Sequence, residues 1–203
     1  WLGHIAVADA EVAARGLVAR GGIQLGPPSR AAAAKAVAIV RDPLGAVVAC
    51  SEAASSAASS GVGWHELYAP DAEQAAALYG ELFGWQRTGV VPLEGELGAY
   101  HSFAWDATGP SCGGMLSIAR RPHIHPQWLF YFNVADLDGA VRRASDGGAP
   151  LIIGPLPAPR GPRIAVLDDP QGASFALQES AAAPACLACL SATAAGATEA
   201  APT

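Results

Sequence analysis

The sequence predicts an α+β fold built from β-α-β-β-β motifs, and two observations predict it. The order strand, Asp-capped helix, three strands recurs three times along the 203 residues. The first and third copies also keep one spacing: Trp1 and Trp128, Asp9 and Asp136, Asp42-Pro43 and Asp169-Pro170, and Gly45 and Gly172 each stand 127 residues apart. Only the Gly-Pro step slips, Gly26-Pro27 against Gly154-Pro155, an offset of 128. One offset held across four landmarks marks an internal repeat.

The elements follow in order. WLGHIAVA (1–8) alternates as a strand does. Asp9 caps a helix over AEVAARGLVARGG, which ends at Gly21-Gly22. IQLGPPSR begins extended and breaks at Pro27-Pro28; KAVAIV (35–40) and AVVACS (46–51) are strands around the turn Asp42-Pro43-Leu44-Gly45. EAASSAASSG (52–61) is a small, polar linker. GWHELYA (63–69) is a strand, and Asp71 caps AEQAAALYGELFG, with Ala75, Leu78, Tyr79, Leu82 and Phe83 on one stripe. Strands near 85–91, at 98–106 and at 112–119 complete the middle motif. RRPHIHPQ (120–127) is a loop. WLFYFNVA (128–135), Asp136, the helix LDGAVRRASDGG, PLIIGPLP, RIAVL, the turn Asp169-Pro170-Gln171-Gly172 and ASFALQ make the third copy. Residues 180–203 read as a disordered Ala-rich tail.

Composition narrows the function. The chain is 51% hydrophobic and 15% charged, with 12 basic and 18 acidic residues and a net charge of −6. A nucleic-acid binder needs a basic face to release counterions from phosphates, so that class is disfavoured. No run of about 18 strongly apolar residues suggests a membrane-spanning helix. Cys50, Cys112, Cys186 and Cys189 are too few and too scattered for a disulfide scaffold, which makes a reducing cytoplasm the expected location.

Three stretches carry a family resemblance: WHELYAPDAEQAAALYGELFGW (64–85), WLFYFNVADLDGAVRRASDGG (128–148) and GPRIAVLDDPQGASFALQE (161–179). They resemble the vicinal oxygen chelate superfamily of glyoxalases, bleomycin-resistance proteins and extradiol dioxygenases, in its bacterial tandem-module form. The resemblance covers about 1–52 and 62–179. It implies paired βαβββ motifs forming an open β-cup around a small-molecule site. Residues 62–179 would then be one complete module. Residues 1–52 would be the second half of a preceding module, its first half upstream or supplied by another copy of the chain. An orphan half-cup exposes a sheet edge, which favours a homo-oligomer through 1–52.

Enzymes of that family hold a divalent ion with His, Glu or Gln from the first and last strands of each motif. Such cations need about three protein N or O donors. Carried over residue by residue, the first-strand ligand lies seven residues before the capping Asp, which gives Trp64, Leu129 and Leu2. The last-strand ligand lies four residues after the turn Gly, which gives Ala176 and Ala49. The middle motif's last strand, CGGMLSIA, offers only Cys112 as a soft donor. The expectation is therefore no metal and no other cofactor, with a divalent metal as the runner-up.

Strand parity then selects the cup lining. Trp64, Glu66 and Tyr68 share one face, and Leu129, Tyr131 and Asn133 another. Tyr100 or His101, Trp105 and Met115 join from the middle strands. His65 with Leu67, and Phe130 with Phe132, pack under the helices. Glu66 in an aromatic cup is a candidate general base raised by desolvation, or simply a carboxylate bonded to a neighbouring Tyr or backbone group. His123-x-His125 is either a metal pair or a plain exposed loop. Cys186-x-x-Cys189 has zinc spacing but only two of the four ligands a structural site needs. Gly113-Gly114 is expected to permit close backbone approach in the cup. The functional expectation is metal-free binding of a hydrophobic or aromatic metabolite or antibiotic. The alternative is a metal-dependent glyoxalase-like lyase or extradiol-type dioxygenase.

Overall fold

The computed structural model describes residues 1–30, 36–52, 61–93, 98–121, 123–158 and 161–180. The expected linker, most of the expected tail, Cys186 and Cys189 fall outside these residues. The element order is β1 (Gly3–Val7), α1 (Ala10–Val18), β2 (Ile23–Gln24), β3 (Ser29–Arg30), β4 (Ala36–Arg41), β5 (Val47–Glu52), β6 (Val62–Ala69), α2 (Ala72–Phe83), β7 (Gln86–Pro92), β8 (Ala99–Ala104), β9 (Gly113–Ser117), β10 (Gln127–Val134), α3 (Leu137–Asp146), β11 (Leu151–Pro157), β12 (Arg163–Asp168) and β13 (Ser174–Glu179). It is a mixed α+β architecture, mostly strands in open sheets.

Each helix begins at the Asp that the sequence marks. Asp9 accepts from the Val12 amide, Asp71 from the amides of Glu73 and Gln74, and Asp136 from that of Gly139. These bonds satisfy amides that the first helical turn leaves without partners. The first helix is shorter than expected. It ends at Val18, and a turn through Ala19, Arg20 and Gly21 follows.

Two sheets result. Residues of 1–52 form a five-stranded sheet in the order β1-β5-β4-β2, with β3 also on β4. Residues of 62–179 form an eight-stranded sheet, β11-β12-β13-β10-β6-β9-β8-β7. At its centre the first strands of two motifs, β6 and β10, run antiparallel, and each pairs in parallel with the last strand of its own motif, β9 or β13. The first motif repeats that parallel pairing as β1–β5.

The helix-bearing faces of the two sheets meet. Ala10, Ala14 and Leu17 of α1 pack with Val40, Val48 and Cys50, and Leu78, Leu82 and Phe83 of α2 cover the same cluster. Arg20 on α1 pairs with Glu81 on α2. Leu67, Ala72, Ala75, Tyr79, Phe103 and Met115 form the adjoining core beneath α2. Leu137, Ala140 and Val141 of α3 pack on Ala165, Leu167 and Leu177. The concave face of the eight-stranded sheet is thus turned away from every helix. No helix among the described residues is long and apolar enough to cross a membrane.

Candidate small-molecule site

The concave face is assembled by register. Trp64 stands opposite Tyr131, and Glu66 opposite Leu129. Tyr131 lies beside Ala176, which pairs with Val166. On the other side Glu66 lies beside Gly114 and Tyr68 beside Leu116, which pairs with Tyr100. Leu129, Tyr131, Val166 and Ala176 form a buried floor, with Trp64, Tyr68 and Ile164 packed against it.

Glu66 is the acid of this floor, and only 8% of it is exposed. Its Oε2 accepts from the Tyr100 hydroxyl at 3.0 Å and the Tyr131 hydroxyl at 3.2 Å. Trp64 Nε1 donates to the Tyr100 hydroxyl at 2.7 Å, completing a relay from indole to phenol to carboxylate. Tyr68 is the third tyrosine beside Glu66. Burial raises the Glu66 pKa, and the hydroxyls of Tyr68, Tyr100 and Tyr131 oppose that rise. Burial, with Glu66 alongside, pushes the three tyrosines upward, so they stay protonated and donate. Gly114 makes the relay possible: a Cβ there would overlap the Tyr100 ring.

The structure brings together Trp64, Glu66, Tyr68, Tyr100, Leu129 and Tyr131. Asn133 lies on the same face but at one end, bonded to Gln178. Three expected residues lie elsewhere. His101 and Met115 pair with each other and so share the helix side. His101 Nδ1 stands 3.4 Å from Glu73 Oε2, and Met115 belongs to the core under α2. Trp105 follows the end of β8, its ring against His65, Trp85 and Phe103. Tyr100 alone of the expected pair faces the cup. Alternation could not settle these positions, because β8 and β9 bury residues on both faces, leaving no polar marker of parity. The register of Gly114 with Glu66 fixes it. Ser102, Leu116, Ile164, Val166 and Gln178 were missed as lining residues, and Ala176 was reached only as a carried-over ligand position. The alternation of RIAVL and ASFALQ contained the signal for three of those missed.

Positions elsewhere show other roles. His4 Nδ1 lies 2.7 Å from Ser51 Oγ on the open face of the smaller sheet. His65 bonds the Cys112 carbonyl at 2.9 Å beneath the cup, and burial lowers its pKa. His123 and His125 are exposed.

The donor set does not fit a divalent ion. Trp64 and Ala176 flank Tyr131, and Leu129 pairs with Glu66, so the carried-over ligand positions do converge. They present an indole, a methyl and an isobutyl group, where about three N or O donors are needed. Glu66 already carries tyrosine donors. Among the described residues, no three His, Cys, Asp or Glu side chains cluster as a metal site.

Comparison with known proteins places this geometry. The family model described as Glyoxalase/Bleomycin resistance protein/Dioxygenase superfamily matches residues 61–177. The chain is 27% identical over 187 residues to "Putative glyoxylase CFP32" of Mycobacterium bovis, covering 89% of this chain and 70% of that protein. It is 26% identical over 185 residues to "Anthracycline biosynthesis protein DauV" of Streptomyces sp., covering 88% of this chain and 65% of that protein. In fold it is similar to the 2,3-dioxygenase LapB of Pseudomonas, at TM-score 0.59 and 12% identity over 87% of this chain and 70% of that one. The halotolerant catechol dioxygenase BphC matches at TM-score 0.55 and 16% identity, over 87% and 65%. Matching more than half of its residues to that family, on a sheet of paired β-α-β-β-β motifs, the chain belongs to the glyoxalase/bleomycin resistance protein/dioxygenase superfamily.

Proposed function

We propose that the 62–179 cup binds a small aromatic or hydrophobic molecule without a divalent ion. One observation carries the reading: the cup's acid is engaged by tyrosine hydroxyls, while indole, phenol and aliphatic groups make up the surrounding floor. Apolar walls with few polar groups suit a small organic ligand, and offset or edge-on ring contacts favour an aromatic one. The name of the Streptomyces relative supports the same class, since anthracyclines are polycyclic aromatics.

The second reading is a metal-dependent glyoxalase-like lyase or extradiol-type dioxygenase. It is favoured by the mycobacterial relative's name and by Glu66, whose raised pKa suits a general base. Elemental analysis and a thermal shift separate the two. The proposal expects well under one Mn, Fe, Ni or Zn per chain and a rise in Tm with 1-naphthol in EDTA, as mass action requires of a native-state ligand. One tightly held ion per chain, with no naphthol response in EDTA, would sink it.

A further inference from the structure

The cup has a polar end that the tyrosine network leaves unused. Register sets Asn133 of β10 beside Gln178 of β13. Gln178 Nε2 donates to Asn133 Oδ1 at 2.7 Å, locking the two carboxamides side by side. Gly63 makes the pair possible. It lies where the β6–β10 register shifts, and a Cβ there would overlap both Asn133 Oδ1 and Gln178 Nε2.

The bond leaves a donor and an acceptor over. A carboxamide has two N–H donors and an acceptor oxygen. Asn133 Nδ2 and Gln178 Oε1 have no hydrogen-bond partner among the described residues, since Nε2 to Oδ1 is the one bond the pair makes. Both residues line an open surface groove, together with Ala135, Gly161, Pro162 and Glu179, and Asn133 is exposed in it.

We propose that Asn133 and Gln178 form a subsite that reads one edge of a planar ligand carrying an N–H or O–H donor next to a carbonyl, as a lactam does. The ligand carbonyl accepts from Asn133 Nδ2, and its N–H or O–H donates to Gln178 Oε1. The remaining ring lies along Gly161 and Pro162, which line the same groove. Paired donor–acceptor contacts of this kind give specificity that apolar floors lack. The inference rests on the small-molecule reading of the cup.

The test titrates the full chain with 2-quinolone, whose ring places N–H beside C=O, and with N-methyl-2-quinolone, which lacks the donor. The expected result is about tenfold tighter binding of 2-quinolone, the size of one lost hydrogen bond. Gly63→Ala, whose Cβ would overlap both amides, should abolish that preference. Gln178→Leu, which removes the acceptor for the ligand N–H, should also abolish the preference and covers the case in which Gly63→Ala does not fold. Equal affinities for the two quinolones in wild type overturn the inference, as does a preference that survives Gln178→Leu. If neither quinolone binds but 1-naphthol raises Tm, the subsite fails and the cup reading stands. If none of the three binds, both fail together.

Discussion

Segments 1–52 and 128–179 are two copies of one motif in different surroundings, and the surroundings decide what each residue is worth. Asp42 and Asp169 open the same turn. Asp42 Oδ1 accepts from the amides of Leu44 at 2.8 Å and Ala46 at 2.9 Å. Asp169 Oδ1 accepts from those of Gln171 and Ala173, both at 2.9 Å. Yet Asp42 is 3% exposed, and its Oδ2 accepts from the Tyr79 hydroxyl at 2.8 Å, itself 3.4 Å from Trp128 Nε1. Asp169 is half-buried and has no such partner among the described residues. Likewise Leu129 is 2% exposed under β6, whereas its repeat equivalent Leu2 is 38% exposed beside the unpaired edge of β1. The repeat sets local structure; neighbouring elements set the energetics.

Substitutions at paired positions can break this contrast. Leu129→Ala should cost about 2–4 kcal/mol in chemical denaturation, through lost burial and the cavity left behind. Leu2→Ala should cost less than about 1 kcal/mol, because an exposed side chain loses little on truncation. Equal costs would mean that the first sheet's open face is covered in solution. Asp42→Ala should cost about 2–3 kcal/mol, since it leaves two amides and the Tyr79 hydroxyl without acceptors. Asp169→Ala should cost about 1 kcal/mol, because water replaces the lost acceptor. Tyr79→Phe should be milder, about 1 kcal/mol, as Asp42 keeps its backbone donors.

Much of this was legible in the sequence. Alternation and capping residues placed all three helices and the long strands, because local bonds and side-chain period dictate them. The stripe of Ala75, Leu78, Tyr79, Leu82 and Phe83 does pack inward on α2. The short strand β3 was not foreseen: it is two residues long and exists only through pairing with β4. The cup side of β6 and β10 could be read because Glu66 marks it. The cup side of β8 and β9 could not, because His101 and Met115 are as buried as the residues facing the lumen. The Asp42–Tyr79 bond was invisible for a different reason. It joins residues 37 apart in sequence that only sheet-on-sheet packing brings together.

A smaller effect concerns pH. Glu66 has a folded pKa raised above its ordinary 4.5, so the native state holds its proton more firmly than the unfolded chain. That contribution to stability is complete below about 4.5 and is lost as pH rises through the folded value. Glu66→Gln keeps the hydrogen-bonding shape without the charge. Urea midpoints measured from acid to neutral pH should therefore shift in favour of Glu66→Gln as pH rises. A constant difference would mean that Glu66 is not desolvated.

The concave face of 62–179 is proposed to bind a small aromatic molecule without a metal ion. Titration of 1-naphthol in EDTA, with wild type and Leu129→Trp compared in one experiment, tests it most directly. A folded Leu129→Trp places an indole on the cup floor. The account predicts saturable binding to wild type and at least a tenfold loss in the variant. Binding that is unchanged by Leu129→Trp, or that requires an added divalent ion, would contradict it.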